Sequence, residues 1–195
     1  MTELLLWVNE NDQVIGYGEK IETHVKKKLH RAFSIFIIDR VHKKILLQKR
    51  AKEKYHSGGL WSNSCCSHWR KDETILEAII RCVKDELGII LTKDLNITKN
   101  PLNNTLNDTA IIYAGKFQYF SEYENLAENE IDYVFVFYVS DEITDKIIPD
   151  QREIEDIKWI DRDELKLQID NTPQIFTSWF RGAYDIALNV IGFGE

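Results

Sequence analysis

An excess of basic residues is missing from this sequence. The formal charge is -7 at pH 7, whereas a nucleic acid or an acidic membrane surface demands the opposite sign. Neither is expected as a partner, and an anionic ligand would need a local cluster of cations. Proline is scarce, at three residues, and no Pro/Gly/Ser-rich stretch marks a linker, so the 195 residues read as one domain. No apolar run approaches the ~20 residues that span a bilayer. The opening MTELLLWVNENDQ has no basic region before its short apolar run, and a cytoplasmic location is expected. The three cysteines, Cys65, Cys66 and Cys82, cannot all pair, and adjacent cysteines make poor disulfide partners. Free thiols in a reducing compartment are expected.

The residues that are present have an ordinary globular balance, 44% hydrophobic and 29% charged. Leu4 to Val8 and Val14 to Tyr17 flank the turn-rich Asn9 to Asp12 and read as a hairpin. Ala32 to Ile38 and Lys44 to Gln48 read as a second pair of strands, and Lys49 to Gly59 as a basic loop. Helical spacing runs from Asp72, a predicted N-cap, to Leu87, with Gly88 at the C-cap position. Further strands are predicted over Ile111 to Phe120, Ile131 to Val139 and Ile154 to Ile160, and closing helices over Asp161 to Ile169 and Pro173 to Ile191. Asn100 to Asn107 reads as a surface loop. Strands interleaved with helices predict an α/β sandwich.

On the first of these helices Ile75, Leu76, Ile79, Ile80, Cys82, Val83 and Leu87 share one side. Glu86 falls inside that apolar arc, where a carboxylate is costly unless it is paired or bound to metal. Just before the helix, Cys66 and His68 are two residues apart and point the same way in an extended chain. Glu128 and Glu130 repeat that spacing ahead of a predicted strand. Two acids on one side either face water or share a metal. His24 and His30 add imidazoles that suit zinc or manganese. Each of these signals also has a plain reading as buried thiol, solvated carboxylate or surface charge.

The row Glu73, Arg81, Asp85, Glu86, Gly88, Ile89 resembles a degenerate Nudix box, with Ser67 in place of its glycine, Cys82 of its first glutamate and Asp85 of its second. The wider pattern resembles the type 1 isopentenyl diphosphate isomerases from about Glu19 to Trp179. It is carried by Glu19-Lys20, Leu29 to Ser34, Arg50-Ala51, Leu60 to Ser64, Cys66-Ser67-His68, Asp85 to Gly88, Glu128-Asn129-Glu130, and Thr172-Pro173 followed by Trp179. Two departures stand out: the His24 to His30 interval is one residue short, and Cys82 stands where the family has an arginine.

The resemblance implies a Nudix-like α/β/α sandwich with a mixed sheet, a single domain over 1–195 whose N-terminal extension, 1–30, contributes metal-site histidines. It implies Cys66 and Glu130 as the two proton-transfer groups, Cys66 as thiolate, with Tyr119 hydrogen-bonded to the carboxylate and Trp179 as a wall beside a carbocation. Lys20, Arg50, Lys54, Ser67 and Arg81 would contact the diphosphate. His24, His30, His68, Glu128 and Glu130 would hold a divalent metal, Mn2+ or Zn2+, and Glu86 would help hold Mg2+ against the substrate phosphates. The implied partner is a small isoprenoid diphosphate, and the implied assembly a monomer or weak homodimer. A Nudix hydrolase acting on a nucleoside diphosphate derivative and a non-catalytic diphosphate-binding module are the alternatives. The loss of a carboxylate at Cys82 weighs against the first of these.

Overall fold

The computed structural model describes residues 3–91, 95–99 and 110–192. The predicted loop at Asn100 to Asn107 lies outside the described residues. In chain order the elements are β1 Leu4–Val8, β2 Val14–Glu19, α1 Lys20–Val25, β3 His30–Asp39, β4 Lys44–Arg50, β5 Trp61–Ser62, β6 Cys65–His68 and α2 Ile75–Leu87. There follow β7 Asn96–Thr98, β8 Ala110–Glu122, β9 Ala127–Val139, α3 Asp141–Thr144, β10 Ile154–Asp161, α4 Arg162–Asn171 and α5 Phe180–Ala187.

The sheet runs β10-β4-β3-β9-β8-β7, mixed because β3 pairs parallel to β9 while β8 and β9 pair antiparallel. Strand β3 leaves β4 after Ile38 and Asp39, and its other end, Ala32 to Ile35, pairs with β6. Successive strand residues face opposite sides, and the two faces of β3 have different partners. Phe33, Ile35 and Ile37 pack with Ala78, Ile79, Cys82, Val83 and Leu87 of α2. Phe36 and Ile38 pack with Leu165 and Ile169 of α4 and Phe180 and Tyr184 of α5. Helices on both faces make the expected α/β/α sandwich. None among the described residues is long and apolar enough to cross a membrane.

Four of the boundaries that differ from the sequence reading bear on the site. Helix α2 is capped by Thr74, whose side chain accepts from Glu77 N while Glu77 reaches back to Thr74 N. Asp72, the predicted cap, has φ 65, outside the extended region a cap needs. Gly88 does terminate the helix, with φ 70 and with Ile148 O 2.9 Å from where a Cβ would stand. Strand β4 runs on to Arg50, into the segment read as a loop. The segment Pro173 to Ile191 is not one helix: a 3-10 turn spans Pro173–Ile175, and Phe176 bridges Trp61 in extended form before α5 begins. Glu128 and Glu130 lie inside β9 rather than ahead of it, since the ladder with β8 continues to Ala127.

The predicted extension folds as β1, β2 and α1. Its hairpin turn is fixed by Asp12, which accepts from Arg31 Nε at 2.7 Å and from Lys116 and Tyr133.

Candidate active site

The strand register assembles the site. Ser34 sits opposite Cys66, Ala32 opposite both His68 and Asp132, and His30 opposite Glu130. Directly paired residues share a face, so His30, Ala32, Ser34, Cys66, His68, Glu128, Glu130 and Asp132 all project from one end of one sheet face. They meet a cleft of about 460 Å³ that also takes side chains from β4, from the loop after it and from the C-terminal half of α2.

Of the candidates read from sequence, Cys66, Glu130, Tyr119, Trp179, Lys20, Arg50, Lys54, Ser67, Arg81, His68, Glu86 and Glu128 line this cleft. His24 and His30 are fully buried beside it. The short interval between them does not separate them: α1 ends at Val25 with Lys26 as its cap, Lys27 turns with φ 52, and the two rings come to 4.9 Å.

One donor atom from each of His24, His30, His68 and Glu130 lies within 4.8 Å of the others. His24 Nδ1 donates to Lys20 O at 2.6 Å and His30 Nδ1 to Lys28 O at 2.7 Å. Those bonds leave both Nε2 atoms buried without a hydrogen-bond partner, although His30 Nε2 lies 3.2 Å from Glu130 Oε1. An imidazole anchored through one nitrogen and bare at the other is the arrangement of a metal ligand. Bonds of roughly 2 Å set ligand atoms about 3 to 4 Å apart, so the group fits a divalent cation with small movements. Glu128 adjoins the cluster, its Oε1 3.7 Å from His24 Nε2.

The electrostatics follow from burial and from this crowding. Burial alone would raise the pKa of Glu130, but the His30 and His68 imidazoles beside it hold it well below the usual carboxylate range. His68 is pushed down to about 3, chiefly by burial, and is a neutral donor to Glu130 at 3.1 Å. Burial, with the Glu86 charge adding to it, raises the Cys66 thiol well above its ordinary value. The resting group is therefore a thiol, not the thiolate expected from sequence. Tyr119, opposite Glu130 in the ladder, sends its hydroxyl between Glu128 and Glu130, 2.6 Å from Glu130 Oε2.

At the mouth, Glu86 faces the cleft from the end of α2, accepting from Gln48 Nε2 at 3.2 Å and from Cys82 Sγ at 3.4 Å. Burial raises its pKa to about 7. The buried Arg50 guanidinium lies 5.2 Å from the Trp179 ring, and its Nε has no partner. Lys54 pairs with Glu153, and Lys20 with Glu3 at 3.9 Å. Arg81 is committed elsewhere: it donates to both oxygens of Glu73, at 2.8 and 3.1 Å, and to His68 O at 3.2 Å. Trp179, at the start of α5, donates to Asn63 Oδ1 at 3.1 Å, which fixes its ring plane against the cleft.

Asp132 and His56 are among the cleft residues that escaped the sequence reading. Asp132 carries the same parity as Glu128 and Glu130, so continuing that alternation by two residues would have found it; its Oδ2 accepts from Ser34 Oγ at 2.7 Å. His56 sits in the basic loop, and nothing in its sequence context signals that it reaches Glu128.

Sheet order, flanking helices and the cleft at the end of α2 define a protein of the Nudix class, and the NUDIX domain model matches residues 28–180. Within that class the chain belongs to the isopentenyl-diphosphate Delta-isomerase family. It is 34% identical over 185 residues to "Isopentenyl-diphosphate Delta-isomerase 2" of Aromatoleum aromaticum, covering 95% of this chain and 86% of that one. It is 38% identical to the isopentenyl-diphosphate Delta-isomerase of Pectobacterium atrosepticum, covering 93% and 88%. Among solved structures, a protein of Deinococcus radiodurans superposes with TM-score 0.67 at 16% identity, over 95% of this chain and 98% of that one. A MutT protein of Methanosarcina mazei gives 0.55 at 17%, over 80% and 91%. Those two likenesses concern the fold alone.

Proposed function

We propose that this chain interconverts isopentenyl and dimethylallyl diphosphate, with Cys66 and Glu130 as the proton-transfer pair. The supporting observation is that strand register brings a thiol and a carboxylate of opposite resting protonation to one cleft. Shifting an unactivated double bond requires one group to deliver a proton to carbon while another removes one from the neighbouring carbon. After turnover the two protonation states are exchanged. The Tyr119 hydroxyl, between Glu128 and Glu130, is placed to take the proton gained by Glu130 while passing its own to Glu128, so that the resting states are restored.

Protonating the alkene leaves a tertiary carbocation, and the Trp179 indole faces the cleft to shield it, worth roughly 0.5 to 2 kcal/mol. Arg50, Lys20 and Lys54 take the diphosphate at the mouth, Arg50 through the Nε that has no other partner. Ser67 lines the same cleft and adds a hydroxyl. Arg81, held by Glu73, acts as a strut for the Ser67 to His68 backbone more than as a phosphate contact. His24, His30, His68, Glu128 and Glu130 hold Mn2+ or Zn2+, and Glu86 holds Mg2+ with the substrate; bound there, these cations would lower the cost of carboxylate and diphosphate charge in a closed site. Glu73 is consumed by Arg81, and Cys82 carries no charge, so one of the carboxylates of a hydrolase's box is missing from α2 while Asp85 and Glu86 remain.

The test is incubation of the metal-loaded protein with isopentenyl diphosphate, following dimethylallyl diphosphate and free phosphate together. Isomer without phosphate is expected. Phosphate release, or turnover retained in both Cys66→Ala and Glu130→Gln, would overturn the assignment.

A further inference from the structure

We propose that His56 is a positioning residue that holds Glu128 in place for the divalent cation, an inference that rests on the metal-site reading above. His56 is 7% exposed, and its Nε2 lies 2.7 Å from Glu128 Oε1. The other oxygen of Glu128 accepts from Tyr119. With both oxygens held, the Glu128 carboxylate is fixed in plane as well as in position, beside His24 Nε2 at 3.7 Å. A ligand oriented by an outer hydrogen bond binds metal more tightly than one free to rotate.

The imidazole is itself fixed. Its Nδ1 is 3.2 Å from Ser57 Oγ, Ser57 Oγ is 3.0 Å from Tyr123 OH, and Tyr123 OH is 3.2 Å from Ser178 Oγ. A hydroxyl donating to Nδ1 leaves the proton on Nε2, facing the carboxylate, so the tautomer is set by this chain. Tyr55 and Tyr123 flank the ring at 4.5 and 4.8 Å between centroids. Ser57 adopts φ 52, a conformation uncommon for a serine, with its hydroxyl beside the ring Nδ1. The same residue reaches the phosphate end through its backbone: His56 O accepts from Arg50 Nη2 at 3.4 Å. One loop residue thus ties the arginine at the mouth to the carboxylate at the metal cluster.

The test measures Mn2+ affinity by chelator competition, with steady-state kinetics alongside, in four variants. His56→Phe keeps the flanking ring contacts and removes the donor; it should weaken Mn2+ roughly ten- to hundredfold and lower kcat at limiting Mn2+ while leaving the KM for isopentenyl diphosphate unchanged. His56→Gln restores a donor and should recover most of the affinity. Ser57→Gly suits the backbone but frees the tautomer, and should give a smaller weakening even if His56→Phe fails to fold. Glu128→Gln separates the two layers of the proposal. If it loses Mn2+ affinity while His56→Phe or Ser57→Gly keeps the parental value, the role of His56 is overturned and the metal site stands. If Glu128→Gln itself binds Mn2+ as the parent does, the metal-site reading fails. Equal losses in His56→Phe and His56→Gln would mean that the donor is not what matters, and would also overturn the proposal.

Discussion

The same face of β3 and β9 ends in two different ways. At one end His30, Ala32 and Ser34 stand beside Glu130, Asp132 and Val134; at the other, Phe36 and Ile38 stand beside Val136 and Tyr138. Pairing, parity and strand are shared, yet one end is roofed by Phe180 and Tyr184 of α5 while the other opens on the cleft. The apolar end fixes the register, because a slip of one residue would turn its buried set outward. The polar end inherits that register, and the imidazoles of His24, His30, His56 and His68 and the carboxyl groups of Glu128, Glu130 and Asp132 are buried there at a position they could not stabilise themselves.

That contrast makes opposite demands on variants from the two ends. Cys66→Ala and Glu130→Gln, at the open end, should lower kcat by roughly 10²- to 10⁴-fold, the span of a lost general acid or base, while urea denaturation of Cys66→Ala shows stability retained. Phe36→Ala, at the roofed end, should destabilise by about 3 to 5 kcal/mol in the same denaturation series, with kcat per folded molecule near the parental value. Swapped outcomes would break the division.

A smaller effect sharpens it. In metal-free protein the Glu86 pKa stands at about 7 against an ordinary 4.5, so the folded state binds that proton more tightly than the unfolded chain. The resulting stabilisation is present below about pH 4.5, erodes as pH rises and is gone above about pH 7. Glu86→Gln should remove that part of the pH dependence, so that the melting temperature of the parent falls relative to that of the variant as pH rises from about 4.5 to about 7. Trp179→Phe should give the smallest change, roughly 1 kcal/mol in kcat/KM from the lost indole face and the Asn63 hydrogen bond.

The roofed end was the more legible in sequence. Runs such as Ala32 to Ile38 and Ile131 to Val139 announce strands through β-branched and aromatic residues, and the Glu73 to Ile89 row with Gly88 marks α2. The open end was legible in its residues but not in its boundaries. Glu128 and Glu130 read as preceding β9 because polar residues hide an extended chain from hydrophobic patterning, whereas the ladder from Tyr119 to Glu122 carries them into the sheet. The break at Phe176 depends on a bridge to Trp61 and on Thr177 N donating to Trp61 O at 2.9 Å, a contact between segments far apart in the chain. His56 was hidden for the same reason: its partner is 72 positions away, and a loop histidine among lysines carries no periodic signal.

The most direct test of the thiol and carboxylate pair is turnover in heavy water, with NMR of the isoprenoid diphosphates. The parent should place deuterium in dimethylallyl diphosphate and, through the reverse reaction, in recovered isopentenyl diphosphate, while folded, metal-loaded Cys66→Ala and Glu130→Gln leave both pools unlabelled. Label appearing at the parental rate in either variant would contradict the assignment.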